Sequence, residues 1–198
     1  MKLFRILILV LACTQLHADI PRLRECTLTA PLTTLSTFPA SSVKPYRRGD
    51  EAVLKTKGLL LPPAAGKNIE AMPTGDNTTA FRAAINYHRA LHKGDVDAIA
   101  SYWHPAERER VRAHFAKPGV ADSAKDMFGR LQNVDLLGLL MIHDREVVFI
   151  RYTKSTMPFV CVDIGGEYFL VSDPSIGVET TIASASIDAG TAKMSAPE

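Results

Sequence analysis

Apolar and polar positions fall into three regimes along the chain: a Pro-, Thr- and Ser-rich stretch without a lasting period, a helical stretch, and a run of strands. The helical stretch opens at "DNTTAFRAAINYHRALHKGD", where Phe81, Ile85, His88 and Leu91 recur at the spacing of one helical face. Thr78 or Thr79 is placed to accept a bond from a free backbone N–H at its start. Gly94, tolerant of positive φ, ends it, with His92 and Lys93 in the last turn, where cations suit the helix dipole. Asp95 caps a second helix with Val96, Ile99 and Trp103 on its inner side, and Pro105 opens a third segment. In that segment, "PAERERVRAHFAK", Val111 and Phe115 stand four apart among charges. Glu107 with Arg110 and Glu109 with Arg112 are three apart, which predicts an exposed helix laced by ion pairs. A short helix from near Ser123 is expected to bury Met127, Phe128 and Leu131.

The pattern then changes period. "VDLLGLLMIH" and "EVVFIRYT" are joined by Asp144-Arg145, and "FVCVDI" and "EYFLVS" by Gly165-Gly166, a pair suited to a two-residue hairpin with positive φ. Consecutive strands with short turns predict an antiparallel meander over residues 134–172. Helices gathered before it must cover one of its faces, so the fold class is α+β, with N-terminal helices packed on a curved β-meander. Residues 19–75 are expected to be an extended, partly ordered lead-in with a few short strands or turns. The small, polar residues 175–198 are expected to form a flexible tail, loose beyond one short strand.

The first residues change the picture of where the chain goes. In "MKLFRILILVLACTQLHADI", Lys2 and Arg5 precede an apolar run from Ile6 to Ala12, and the small Ala18 follows, the layout of an export signal over residues 1–18. The run is far shorter than the roughly 20 residues a spanning helix needs. Two outcomes are open: cleavage after Ala18, giving a periplasmic or secreted protein, or lipidation of Cys13 in "VLAC", giving an outer-membrane lipoprotein. Without residues 1–18 the basic count falls from 23 to 21 and equals the 21 acids, so charge offers no case for a nucleic-acid partner. Loss of Cys13 leaves Cys26 and Cys161, which an oxidising compartment would either bridge or leave as two buried thiols.

Candidate chemistry is sparse. His88 and His92 share a helical side, but the zinc-protease pattern needs a Glu beside the first His, and Arg89 stands there, so no metal is expected. No Ser lies in a Gly-x-Ser-x-Gly turn, no phosphate-cradling glycine loop is present and no cofactor is expected. General acid–base work in a pocket remains, with His88, Asp163 and Tyr87 as candidates. Alternation in "FVCVDI" puts Phe159, Cys161 and Asp163 on one strand face and Val160, Val162 and Ile164 on the other. Packing of the Val/Ile face on the helices, the expected arrangement, turns Asp163 to solvent; the reverse turns it inward.

The "KGD" helix break, the aromatic pair Tyr102-Trp103 and the final "GGEYFLV" hairpin resemble the nuclear-transport-factor-2-like superfamily over about residues 76–174. The resemblance implies a cone-shaped roll, shared by ketosteroid isomerases and polyketide cyclases, with a hollow bordered here by Tyr87, Trp103, Phe149 and Tyr168. The isomerase members work with an aspartate base, and no motif assigns that role to Asp135, Asp144 or Asp163. The expected function is therefore a non-catalytic exported module that binds a small apolar molecule or an envelope protein. The alternative is a cofactor-independent isomerase, cyclase or hydrolase with an acid in the pocket.

Overall fold

The computed structural model describes residues 23–62, 65–72, 75–131 and 134–196; the segment expected to be an export signal, with Cys13 and Ala18, lies outside them. The meander forms as its turns predict. Strands β5 (Val134–Ile142), β6 (Arg145–Tyr152), β7 (Ser155–Ile164) and β8 (Glu167–Leu170) pair antiparallel in sequence order. Gly165 and Gly166 take φ of 65° and 90° between the last two, the left-handed region that such a turn demands.

The lead-in contributes far more than short strands. β1 (Arg24–Pro31) and β3 (Glu51–Leu60) pair antiparallel, and β3 then pairs with β5, so the sheet runs β8-β7-β6-β5-β3-β1-β9, with β9 spanning Lys193–Met194. Two-residue strands β2 (Arg47–Arg48) and β4 (Lys67–Asn68) flank β3 and β5. Helix α1 (Ala40–Val43) lies between β1 and β2.

Among the described residues, four α-helices separate β4 from β5. α2 (Ala80–Lys93) is capped by Thr79, whose side chain accepts from Arg82 N–H, and is ended by Gly94 at φ 69°. α3 (Val96–Ser101) starts on Asp95, which accepts from Ala98 N–H. α4 (Arg108–Phe115), with the 3₁₀ turn Pro105–Glu107 that leads into it, carries the expected pairs Glu107–Arg110 and Glu109–Arg112. α5 (Val120–Gly129) begins three residues ahead of Ser123, because Gly119 at φ 76° turns the chain there.

Over its described residues, 175–196, the expected flexible tail is ordered. These residues form α6 (Gly177–Asp188), which buries Val178, Ile182, Ala183 and Ile187 on the sheet face opposite α2, and then β9 on the free side of β1. The sheet is thus covered on both faces. Val148, Ile150, Tyr152, Phe159 and Cys161 join α2 in one core, while Leu28, Leu54, Val147 and Phe149 join α6 in the other. The near-continuous apolar runs of β5 and β6 are the signature of strands buried on both sides.

One glycine sets which residue enters which core. β5 slips register between Leu136 and Gly138. A Cβ at Gly138 would stand 2.0 Å from the Leu59 carbonyl oxygen, and its φ of 144° already excludes most side chains. The bulge shifts the alternation, so that Leu136 and Leu139 share the α2 core while Leu137 and Leu140 share the α6 core.

The same division decides the cysteines. Cys26 lies in the α6 core and Cys161 in the α2 core, both free and buried, with three strands of the sheet between theirs. Bridging needs Cα atoms within about 7 Å, so the expected disulfide alternative is overturned.

Because α6 closes a core, its apolar contacts carry stability. Ile182→Ala, at a fully buried position, is expected to lower the unfolding free energy by about 2–5 kcal/mol, measured by urea denaturation; a dispensable tail would leave the midpoint unchanged.

Candidate functional site

The inner face of α2 brings its residues against the sheet as a chain of aromatic rings. Tyr87 meets Trp103 edge-on with centroids 5.9 Å apart and Phe159 at 6.0 Å. Phe159 meets Tyr152 at 6.3 Å, and Tyr152 meets both His88 and Phe128 at 5.5 Å. Edge-to-face packing at this spacing is the favoured arrangement of aromatic quadrupoles. The rings pack between α2 and the sheet, the side on which the sequence implied a hollow.

Of the four residues expected to border that hollow, Tyr87 and Trp103 are neighbours. Tyr168 packs at the margin of the same core and donates its hydroxyl to Glu146 Oε1 at 2.8 Å. Burial, and then the Glu146 bond, push the Tyr168 hydroxyl up to about 12. Phe149 lies on the opposite face, in the α6 core, because β6 alternates and Val148 and Ile150 take the α2 side.

The acids expected as candidates do not enter this core. Phe159 and Cys161 face α2, the reverse of the expected packing, yet Asp163 follows them at the end of β7, is exposed, and accepts from Gly166 N–H at 2.8 Å as part of the hairpin turn. Asp135 pairs with Arg151 at 2.7 Å, and Asp144 with Arg145 at 3.0 Å.

His88 is 1 % exposed, with Nδ1 3.2 Å from the Tyr152 hydroxyl. On its other side Nε2 lies 3.6 Å from Glu70 Oε1, and the same oxygen is 3.8 Å from His92 Nδ1. Glu70 sits in a 3₁₀ turn, Ile69–Ala71, that is pinned to α2 by Arg89, which donates to the carbonyls of Ile69 and Met72 at 3.0 and 2.6 Å. Burial drives the His88 pKa down, and the Glu70 charge opposes it. Tyr152 is pushed well above the ordinary tyrosine range by burial. Tyr87 is raised by burial too, against a smaller opposing effect of the Trp103 indole N–H, which does not meet hydrogen-bond geometry. Among the described residues, no group of three His, Cys, Asp or Glu is arranged to hold a metal ion.

Trp103 connects this core to the surface. Residues 102–104 run beside β8: His104 N–H donates to the Leu170 carbonyl and Leu170 N–H to the Tyr102 carbonyl, both at 2.8 Å. From there the chain turns into α4, and a groove of about 420 Å³ opens between Trp103 and that helix, lined by Arg110, Val111, His114, Phe115 and Lys117. Arg108 holds the corner in place by donating to the Trp103 carbonyl at 3.1 Å, with its guanidinium 5.2 Å over the Phe169 ring.

Sequence reasoning missed Glu70 and Tyr152 as the partners of His88, and missed a second polar cluster on the other face. There Glu179, buried at the start of α6, accepts from the Tyr46 hydroxyl and lies 3.1 Å from His143 Nε2. Burial first, and Glu179 second, push the Tyr46 hydroxyl up to about 12. His143 has φ 53° in the β5–β6 turn, a conformation uncommon for residues other than glycine. These partners are distant in the chain and share no motif; only the fold assembles them.

A histidine whose pKa is lower folded than unfolded leaves stability intact above its unfolded value, about 6.5, and drains it as the pH falls below. The melting temperature of the protein is therefore expected to drop between about pH 7.5 and 5 more steeply than that of His88→Gln, which keeps a bond to Tyr152 without titrating. Circular dichroism melts read both slopes, and equal slopes would remove His88 from the acid response.

No family model, curated protein or solved structure matches the chain.

Proposed function

We propose that the chain is an exported, non-catalytic binding module of nuclear-transport-factor-2-like build that takes a small apolar molecule in the groove between Trp103 and α4. The observation that carries this reading is an apolar-floored groove at the rim of a core packed with rings. Tyr87, Phe159, Tyr152 and Phe128 occupy the inner space, while Val111, Phe115 and Trp103 line a groove of about 420 Å³. That volume lies within the range of small-molecule sites, roughly 300–1,000 Å³. The superfamily reading is supported by the order of capped helices followed by an antiparallel meander; α6 on the second face is an addition to it. An envelope protein seated on the same groove is the other occupant compatible with the reading.

A cofactor-independent isomerase, cyclase or hydrolase is the second reading. It is favoured by the His88–Tyr152 pair with Glu70 at its outer side, a buried base flanked by a hydroxyl and a carboxylate. It predicts turnover of a small substrate that His88→Gln abolishes without loss of fold.

The leading reading is tested with N-phenyl-1-naphthylamine, a neutral apolar probe whose emission rises on binding. Saturable binding is expected, with energy transfer from Trp103, the single tryptophan of the chain. Ala113→Trp, which fills the groove from an exposed position on α4, should weaken binding by about tenfold or more. Absence of saturable binding, or binding indifferent to Ala113→Trp, overturns the assignment to this groove.

A further inference from the structure

We infer that the ligand of the Trp103 groove is a flat aromatic anion: a carboxylate or sulfonate carried on an aromatic body. The inference rests on the binding-module reading and adds charge and shape to it.

Charge comes from what lines the groove. Its ionisable residues are Arg110, His114 and Lys117, and among the described residues no carboxylate lines it. The nearby acids are engaged elsewhere. Glu107 holds Arg110 through one oxygen at 2.5 Å and accepts from Ser172 N–H through the other at 3.0 Å. Asp97 lies 2.9 Å from Arg112, and Glu109 pairs with the same guanidinium. Arg108 is turned inward, onto the Trp103 carbonyl and the Phe169 ring. Lys117 is left at the groove with no acidic partner among the described residues.

Basic residues at a helix C-terminus also suit the helix dipole, and that alone would explain His114 and Lys117. It does not explain why they border Trp103, Phe115 and Val111. Water satisfies an exposed cation on an ordinary surface, whereas an apolar floor beside it favours a molecule that covers the floor and presents a negative charge at the rim.

Shape comes from the rings. Trp103 and Phe115 offer aromatic surface to the groove, and the His114 ring stands edge-on to Phe115 with centroids 5.3 Å apart. Planar bodies gain offset or edge-on contacts there that a branched aliphatic chain does not. A small, highly charged polar ion would leave Val111 and Phe115 uncovered, so phosphate alone does not fit this surface.

Two probes with one skeleton test the charge directly. N-phenyl-1-naphthylamine is neutral, and 1-anilinonaphthalene-8-sulfonate adds a sulfonate to the same rings. At low salt the sulfonate is expected to bind about tenfold tighter, the worth of one favourable charge contact of about 1.4 kcal/mol. Raising the salt to about 0.5 M should remove most of that advantage. Lys117→Glu should lower the sulfonate-to-neutral affinity ratio about tenfold or more, and Lys117→Arg should restore it. Lys117 is exposed and outside α4, so these variants keep the fold. Equal affinity for the two probes, or a preference untouched by Lys117→Glu, overturns the inference while leaving the module reading in place. Failure of both probes to bind removes the reading itself.

Discussion

Burial of the sheet on both faces is the constraint on which this protein depends. A seven-strand path with helices on one side alone would leave Leu28, Leu54, Val147 and Phe149 facing water, and α6 is what covers them. At roughly 25 cal/mol per Å² of apolar surface removed from water, the second core is not an accessory. It also dictates the first one. With one face of β6 committed to α6, Val148, Ile150 and Tyr152 are the residues left for α2, and Tyr152 is thereby delivered to His88. The bulge at Gly138 performs the matching adjustment in β5, letting a leucine-rich strand serve two cores without a polar residue in either.

Much of this was legible in the sequence, and the remainder was hidden for identifiable reasons. The caps of α2 and α3, the ion-paired α4 and the four-strand meander follow from local chemistry: Thr79, Gly94, Asp95 and the Gly165-Gly166 turn each act on their immediate neighbours. β1 carried a signal that was passed over, since Cys26, Leu28 and Ala30 alternate with charged and hydroxyl residues in "RECTLTAP". α6 carried less. Its segment "GVETTIASASID" is built of small and β-branched residues and is buried at Val178, Glu179, Thr180, Ile182, Ala183, Ser186 and Ile187, so no apolar stripe stands out from a polar face. A helix sunk into a core loses the 3.6-residue contrast that identifies surface helices.

For the site, the sequence named the right helix face and only part of what packs in front of it. Tyr87, His88 and Trp103 do converge, and Phe128, Tyr152 and Phe159, which no local pattern ties to them, join them in one ring cluster. Asp163 illustrates the limit of period-two reasoning. Alternation correctly groups it with Phe159 and Cys161, yet strand length places it beyond the helix that covers them, and its carboxylate closes a turn. Phe149 fails for the complementary reason: with both faces apolar, alternation shows two sets of residues and not which set the helices choose.

The corner at Tyr102–His104 resolves into a single device with three consequences. Its backbone pairs with Leu170 and so covers the exposed edge of β8, which would otherwise offer unpaired N–H and carbonyl groups to another chain. That pairing fixes the direction in which the chain leaves toward α4, and Arg108 secures the departure through the Trp103 carbonyl. The tryptophan is thereby held between two environments, with Tyr87 against it on the core side and Val111 and Phe115 beside it in the groove. A residue chosen only to fill a core would be served as well by phenylalanine. Trp103 has the breadth to complete the interior and still present a face outward, and that is why the structural corner and the groove are the same residues.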